Sequence, residues 1–117
     1  MKTTSYEISK KLKEARFGKD SAFAHFKSKC GGGGIFYVWE GIKGGYEEEF
    51  FSYDLETILD ALPDTTEIII SSLTGERIFY LDSNIRGNEV SIAIEENESL
   101  ADTAGRMWLM LKEKGLV

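Results

Sequence analysis

The chain has 117 residues, 42% of them hydrophobic and only one a proline, so a disordered or low-complexity segment is excluded and one folded domain is expected. No apolar run approaches the roughly 20 residues of a membrane helix, the first seven residues lack the apolar stretch of a signal peptide, and the single Cys30 has no internal partner, so the expected setting is cytoplasmic and reducing. The net charge of −6 is uneven: residues 1–29 carry eight bases and three acids (net +5), residues 30–117 six bases and seventeen acids (net −11), and an acidic whole disfavours nucleic acid as a partner.

In chain order, Thr4 or Ser5 can cap a helix over Tyr6–Arg16. Ile8, Leu12 and Ala15 form its apolar stripe, Lys10, Lys11 and Lys13 take its other faces, and Gly18 suits the residue just past its end. Residues 21–29 fit a helical turn or a short strand; the glycines that follow favour the strand. Cys30–Gly34 reads as a loop, because four glycines lose too much entropy inside an element. Ile35–Glu40 reads as a strand that is apolar on both faces and therefore covered on both. Gly41–Gly45 then turns the chain into an antiparallel partner strand, Glu48–Tyr53.

Asp54 caps a second helix, Leu55–Leu62, with Leu55, Ile58, Leu59 and Leu62 on one stripe and Pro63 as its stop. Strands follow over Glu67–Leu73 and Glu76–Asp82, joined across Thr74-Gly75, then a turn over Ser83–Asn88 and a strand over Glu89–Ile94 with Val90, Ile92 and Ile94 inward. Ser99 caps the last helix, on which Leu100, Ala104, Met107, Trp108 and Leu111 form the core stripe and Gly115 the stop. Leu109 and Met110 point elsewhere, toward a second buried side or toward a partner or second copy. The order α-β-β-α-β-β-β-α needs no βαβ crossover. The expectation is an α+β domain, an antiparallel meander of about five strands with three helices on one face.

Few residues suggest chemistry. His25 and Cys30 are the two soft metal ligands, too few to close a zinc site, and a Cys–His nucleophilic pair has no further support. The glycine run leads into a strand and lacks the Lys-Ser/Thr of a phosphate loop; it reads as a turn, or as a mobile cover over a binding face. Glu47–Glu49 and Glu95–Glu98 read as solvated turns, and Trp39 and Trp108 as core anchors. No metal, cofactor or catalytic set is expected. The candidate interaction surface is Lys10, Lys11 and Lys13 with Leu109 and Met110.

Three segments carry a resemblance. Tyr6–Phe17, Asp54–Pro63 and Ser99–Ala104 with Met107-Trp108-Leu109 resemble the opening, central and closing helices of small uncharacterised proteins from phages and prophages of Bacteroides-type gut bacteria. Their opening helix often ends in Ala-Gly-Phe, where this chain has Arg16 in place of glycine. A strand and helix over Val90–Leu111 are similar to the end of HicB-type antitoxins, whose N-terminal strand this chain lacks. The order from Asp54 onward matches a double-stranded RNA-binding domain, but Glu98, Ser99 and Asp102 stand where that domain places lysines. The resemblance, the uneven charge and the lack of a convergent catalytic set together lead to the expectation of a non-enzymatic accessory protein of phage or mobile-element origin that binds a host or phage protein, with a homodimer as an option. The alternatives are a nucleotide-like small-molecule binder, with its pocket between the glycine loop and the sheet, or an antitoxin.

Overall fold

The computed structural model describes residues 3–28, 31–63, 66–73, 76–85, 88–95 and 97–117, with the backbone alone over 67–85, 88 and 89. The elements run α1 (Tyr6–Glu14), β1 (Phe23–Lys27), β2 (Gly33–Tyr37), α2 (Val38–Lys43), β3 (Glu47–Ser52), α3 (Leu55–Ala61), β4 (Thr66–Leu73), β5 (Glu76–Ile85), β6 (Asn88–Ala93) and α4 (Leu100–Glu113). The class is α+β. The expected single meander with three helices is replaced, among the described residues, by two three-stranded antiparallel sheets and four helices.

The first sheet has the order β2-β1-β3. Both outer strands pair antiparallel with β1, so they run parallel to each other, joined by α2: a crossover the sequence reading did not require. The expected pairing of residues 48–53 with 35–40 therefore does not occur. The cause lies at Val38–Lys43, where Val38–Glu40 reads as strand and Gly41–Lys43 as turn but the six residues form a short helix. Tertiary packing overrides propensity here. A Cβ on Gly41 would stand 2.3 Å from the Phe26 ring, so only glycine lets α2 lie this close on the sheet. Its C-cap is Gly44. Gly33 and Gly34, expected in the loop, belong to β2.

The second sheet has the order β4-β5-β6. Its register sets Leu73 opposite Glu76 and Ile85 opposite Asn88, so β5 runs through residues 83–85, which read as turn. The expected turn residues Thr74, Gly75 and Gly87 lie outside the described residues. On β6, Val90 and Ile92 are buried and Ser91 and Ala93 exposed, as the alternation requires.

The main core lies between α1, α3, α4 and β6. Ile8, Leu12, Ile58, Leu62, Val90, Ile92, Met107, Trp108 and Leu111 form it, closed by Phe17 and Tyr53. Leu12, Ile58, Met107 and Leu111 are fully buried, each contributing about 1.5–3 kcal/mol. Phe17 makes edge contacts with both Tyr53 (4.7 Å) and Trp108 (4.8 Å). The Tyr53 hydroxyl donates to the Lys19 carbonyl at 2.7 Å, and burial pushes its pKa up to about 12. On α4, Leu100 is 38% exposed rather than part of the stripe, since it opens the helix ahead of the crossing with α1. That crossing is tight: a Cβ on Gly105 would meet Ile8 Cγ2 at 2.6 Å.

The caps follow the sequence closely. Ser5, Asp54 and Ser99 accept from the backbone N–H three residues on. Hydrogen bonds from Thr57 hold the Asp54 carboxyl below its usual range. Asp102 accepts instead from the Ser5 N–H at 2.7 Å, tying the start of α1 to the start of α4. Gly115 (φ +72) ends α4 as expected. The left-handed residue that ends α1 is Arg16 (φ +58), with Arg16 N–H to Lys13 O and Phe17 N–H to Leu12 O; Gly18 comes two residues too late.

Candidate functional site

α1 joins the two halves. Its apolar stripe faces α4, and its other side lies on the first sheet through Tyr6, Ser9 and the turn at Thr4. Residues directly opposite in an antiparallel ladder share a face. His25, Ile35 and Phe50 therefore lie together on the α1 face, with Lys27 beside Gly33. Ala24, Phe26 and Phe36 lie on the α2 face. The register shifts between His25 and Phe26, so Glu49 is the extra residue of a bulge in β3. Bulges re-aim side chains, and the Glu49 carboxylate hydrogen-bonds the Tyr6 phenol.

Beneath α1 sits a buried junction of hydroxyl groups. The Ser9 Oγ lies 2.6 Å from Thr4 Oγ1 and 3.0 Å from His25 Nε2. The Thr4 carbonyl faces His25 Nε2 at 3.1 Å and accepts from Ser52 Oγ at 2.7 Å. Tyr53 N–H donates to Thr4 Oγ1. No buried side-chain polar atom among the described residues lacks a partner. With its proton on Nε2 the imidazole donates to the Thr4 carbonyl; with its proton on Nδ1 it accepts from Ser9, and Ser52 still serves that carbonyl. Ser9 is fully buried as well. Burial holds the His25 pKa below 6.5, against opposing pulls from the Thr4 carbonyl, Glu49 and Asp102.

Because α1 covers only the β1–β3 side, the β2 side of the same face stays open. A trough of about 660 Å³ lies there, lined by Tyr6, His25, Lys27, Gly33, Ile35 and Glu49 among others. Tyr6 packs edge-on to His25 at 5.6 Å and against Phe50 at 5.0 Å. Desolvation against the sheet, then the charge and hydrogen bond of Glu49, hold its phenol above its ordinary pKa.

The two edges of this sheet differ in kind. β3 carries Glu47, Glu48 and Glu49 and a bulge, the features that keep an edge from pairing. β2 reads Gly-Gly-Ile-Phe-Tyr, uncharged, with an unbroken register on β1 and no strand on its outer side among the described residues. Around it lie Ile35 (44% exposed), Tyr37 (44%), Trp39 (63%), Ile42 (61%) and Tyr46 (39%). Tyr37 packs on Phe23 at 4.5 Å and stacks toward Trp39 at 6.3 Å, and Tyr46 stacks on Phe36 at 5.1 Å. Trp39, expected in the core, is therefore a surface residue; Trp108 is buried as expected. The expected cover over both faces of residues 35–40 is missing, because Val38 starts a helix that carries Trp39 and Ile42 outward.

The sequence-derived surface is brought together in part. Lys11, Leu109 and Met110 line a shallow groove with Ile8, Ile92 and Arg106. Leu109 and Met110 are half-buried and pack on the core. Lys10 stays exposed outside that groove, and Lys13 donates to the Glu49 carbonyl at 3.0 Å. In the Glu95–Glu98 run, Glu98 is a clip. Arg106 grips Glu98 through two nitrogens and also donates to the Ala93 carbonyl, while Thr103 donates to Glu98 at 2.6 Å. Burial works against ionisation of Glu98, yet these bonds hold its pKa low. Among the described residues no acidic or His/Cys cluster could hold a metal, and no helix is long and apolar enough to cross a membrane. Cys30 lies outside the described residues.

Sequence reasoning missed Ile35, Tyr37, Trp39 and Ile42 as surface residues. One signal was available: Trp39 and Ile42 stand at helical spacing before Gly44-Gly45, which could have marked a short helix instead of a strand. No family model matches the chain, and no curated protein or solved structure is significantly similar to it.

Proposed function

We propose that the chain is a non-enzymatic protein-binding module of phage or mobile-element origin, which contacts its partner through the open edge of β2 and the apolar side chains around it. The origin rests on the resemblance of its three helices. The contact surface rests on one observation: of the eight large hydrophobic side chains exposed among the described residues, five fall within residues 35–46. Soluble proteins seldom leave apolar side chains grouped at an unguarded strand edge without a use for them. Added strands bind through main-chain hydrogen bonds and take their specificity from alternate side chains.

The test compares the wild-type chain with the Trp39→Ser/Ile42→Ser variant as bait in a lysate of the host bacterium. The expected result is a partner held by wild type and lost by the variant, with the same circular dichroism and melting temperature for both. Equal capture by both would remove the surface from consideration. A second reading, a small-molecule binder, draws on the 660 Å³ trough with its phenol, imidazole, ammonium and carboxylate. A thermal-shift screen against nucleotides separates the two: a tight ligand there would replace the first reading.

A further inference from the structure

We infer that a second copy of this chain pairs with the open edge of β2, antiparallel about a twofold axis through Ile35, and that Tyr37 of each copy fills the trough of the other. This deepens the protein-binding reading and rests on it, by naming the occupant of the edge.

The strand's own order of sizes suits pairing with itself. When Gly33–Tyr37 pairs antiparallel with itself around Ile35, Gly33 falls opposite Tyr37 and Gly34 opposite Phe36, twice over. The two largest side chains meet the two positions that have none, and Ile35 meets Ile35 on the axis. Cross-strand partners share a face. Gly33 is paired with Lys27 and Ile35 with His25, which places Gly33, Ile35 and Tyr37 on the α1 side. Tyr37 of one copy thus arrives over Gly33 of the other, at the mouth of the trough that Tyr6, His25, Gly33 and Ile35 line. The trough is a wall with one side missing, and the second copy supplies that side.

Charge agrees. The paired strands carry none, so no ion is stripped of water when they meet. The flanks carry Lys27, beside Gly33, and Glu40, three residues past Tyr37; the antiparallel register brings Lys27 of one copy and Glu40 of the other to the same end, twice. The β3 edge would instead carry six glutamates into such an interface, three from each copy. Area sets the strength. Tyr37 and Trp39 are 44% and 63% exposed. At the roughly 150–250 Å² of an aromatic side chain, each leaves on the order of 100 Å² to hide. With Ile35 and the two main chains doubled by the twofold, the total stays below the roughly 1,600 Å² of a standard interface. The expected dimer is a micromolar one.

Sedimentation velocity of the full chain across roughly 1 μM to 1 mM tests this. Wild type should pass from monomer to dimer within that range, and Ile35→Lys should remain monomeric with unchanged circular dichroism. In a Cys30→Ser background, Ile35→Cys should oxidise to a disulfide-linked dimer, because directly opposite residues bring their Cα atoms to about 4.5–5.5 Å, within the span of a disulfide. Ile42→Cys, exposed but off the axis, should not. A wild type that is monomeric throughout, with no cross-link through position 35, overturns the inference. If that monomer still loses its lysate partner on Trp39→Ser/Ile42→Ser, the protein-binding reading stands and the occupant of the edge is another protein.

Discussion

The two sides of α1 show opposite uses of the same sheet. Where α1 lies on β1 and β3, Thr4, Ser9, His25 and Ser52 are buried and every one is hydrogen-bonded. Beyond α1, along β2, the chain leaves Ile35, Tyr37 and Trp39 in water and guards the edge with no charge. The first region fixes how helix and sheet sit on one another. The second contributes little to holding the monomer together. Buried hydrogen-bonded side chains and exposed apolar ones are therefore separated along one strand pair, and substitutions should sort accordingly.

The largest effect is expected in the core that α1 shares with α4. Leu12→Ala should destabilise the protein by about 2–5 kcal/mol in urea unfolding, since Leu12 is fully buried. Gly105→Ala should cost about 1–3 kcal/mol, because its Cβ would stand 2.6 Å from Ile8 Cγ2 and Ile8 has little room to move. Next comes the polar junction. Its neutral His25 has a pKa below the ordinary 6.5, so on acidification the unfolded chain takes up the proton first. The stability contributed by the neutral ring is full above pH 6.5 and declines as pH falls below it. The melting temperature should drop between pH 7 and pH 5.5, and His25→Gln, which keeps a donor for the Thr4 carbonyl, should remove most of that slope. Asp54 and Glu98, whose pKa values are lowered, contribute stability that is lost only at more acid pH. A smaller effect of opposite sign is expected from Arg16→Gly. A side chain at φ +58 costs about 1 kcal/mol that glycine does not, so this variant should be more stable by that amount. The smallest is Trp39→Ser, expected within about 0.5 kcal/mol of wild type. A loss of several kcal/mol there would show that the exposed surface is part of the core and would erase the contrast between the two regions.

Much of this was legible in the sequence, and the gaps have physical causes. Asp54 and Ser99 announce their helices because a capping side chain acts within three residues. The stripes Ile8–Leu12 and Ala104–Met107–Trp108–Leu111 need only helical spacing. Long-range geometry was not legible. Val38–Glu40 has the composition of a strand and Gly41–Lys43 that of a turn, and the helix they form together depends on Gly41 meeting Phe26, a contact across the sheet. The pairing of β3 with β1 follows from that crossover, so the same misreading moved two strands. The glycine run reads from sequence as a loop, whereas Gly33 and Gly34 are strand and line the trough. The candidate surface Lys10, Lys11, Lys13, Leu109 and Met110 came from charge and helix faces alone, and such signals do not show that Leu109 and Met110 pack on the core. Arg16 holds the positive φ at the end of α1, a position where glycine is the usual residue.

The most direct test of the separation is site-specific photocrosslinking with benzoylphenylalanine at position 39, and in parallel at positions 10 and 110. The account predicts adducts, to a second copy or to another protein, from position 39 and none from the other two. Adducts from position 10 or 110 alone would contradict it and place recognition on the outer faces of α1 and α4.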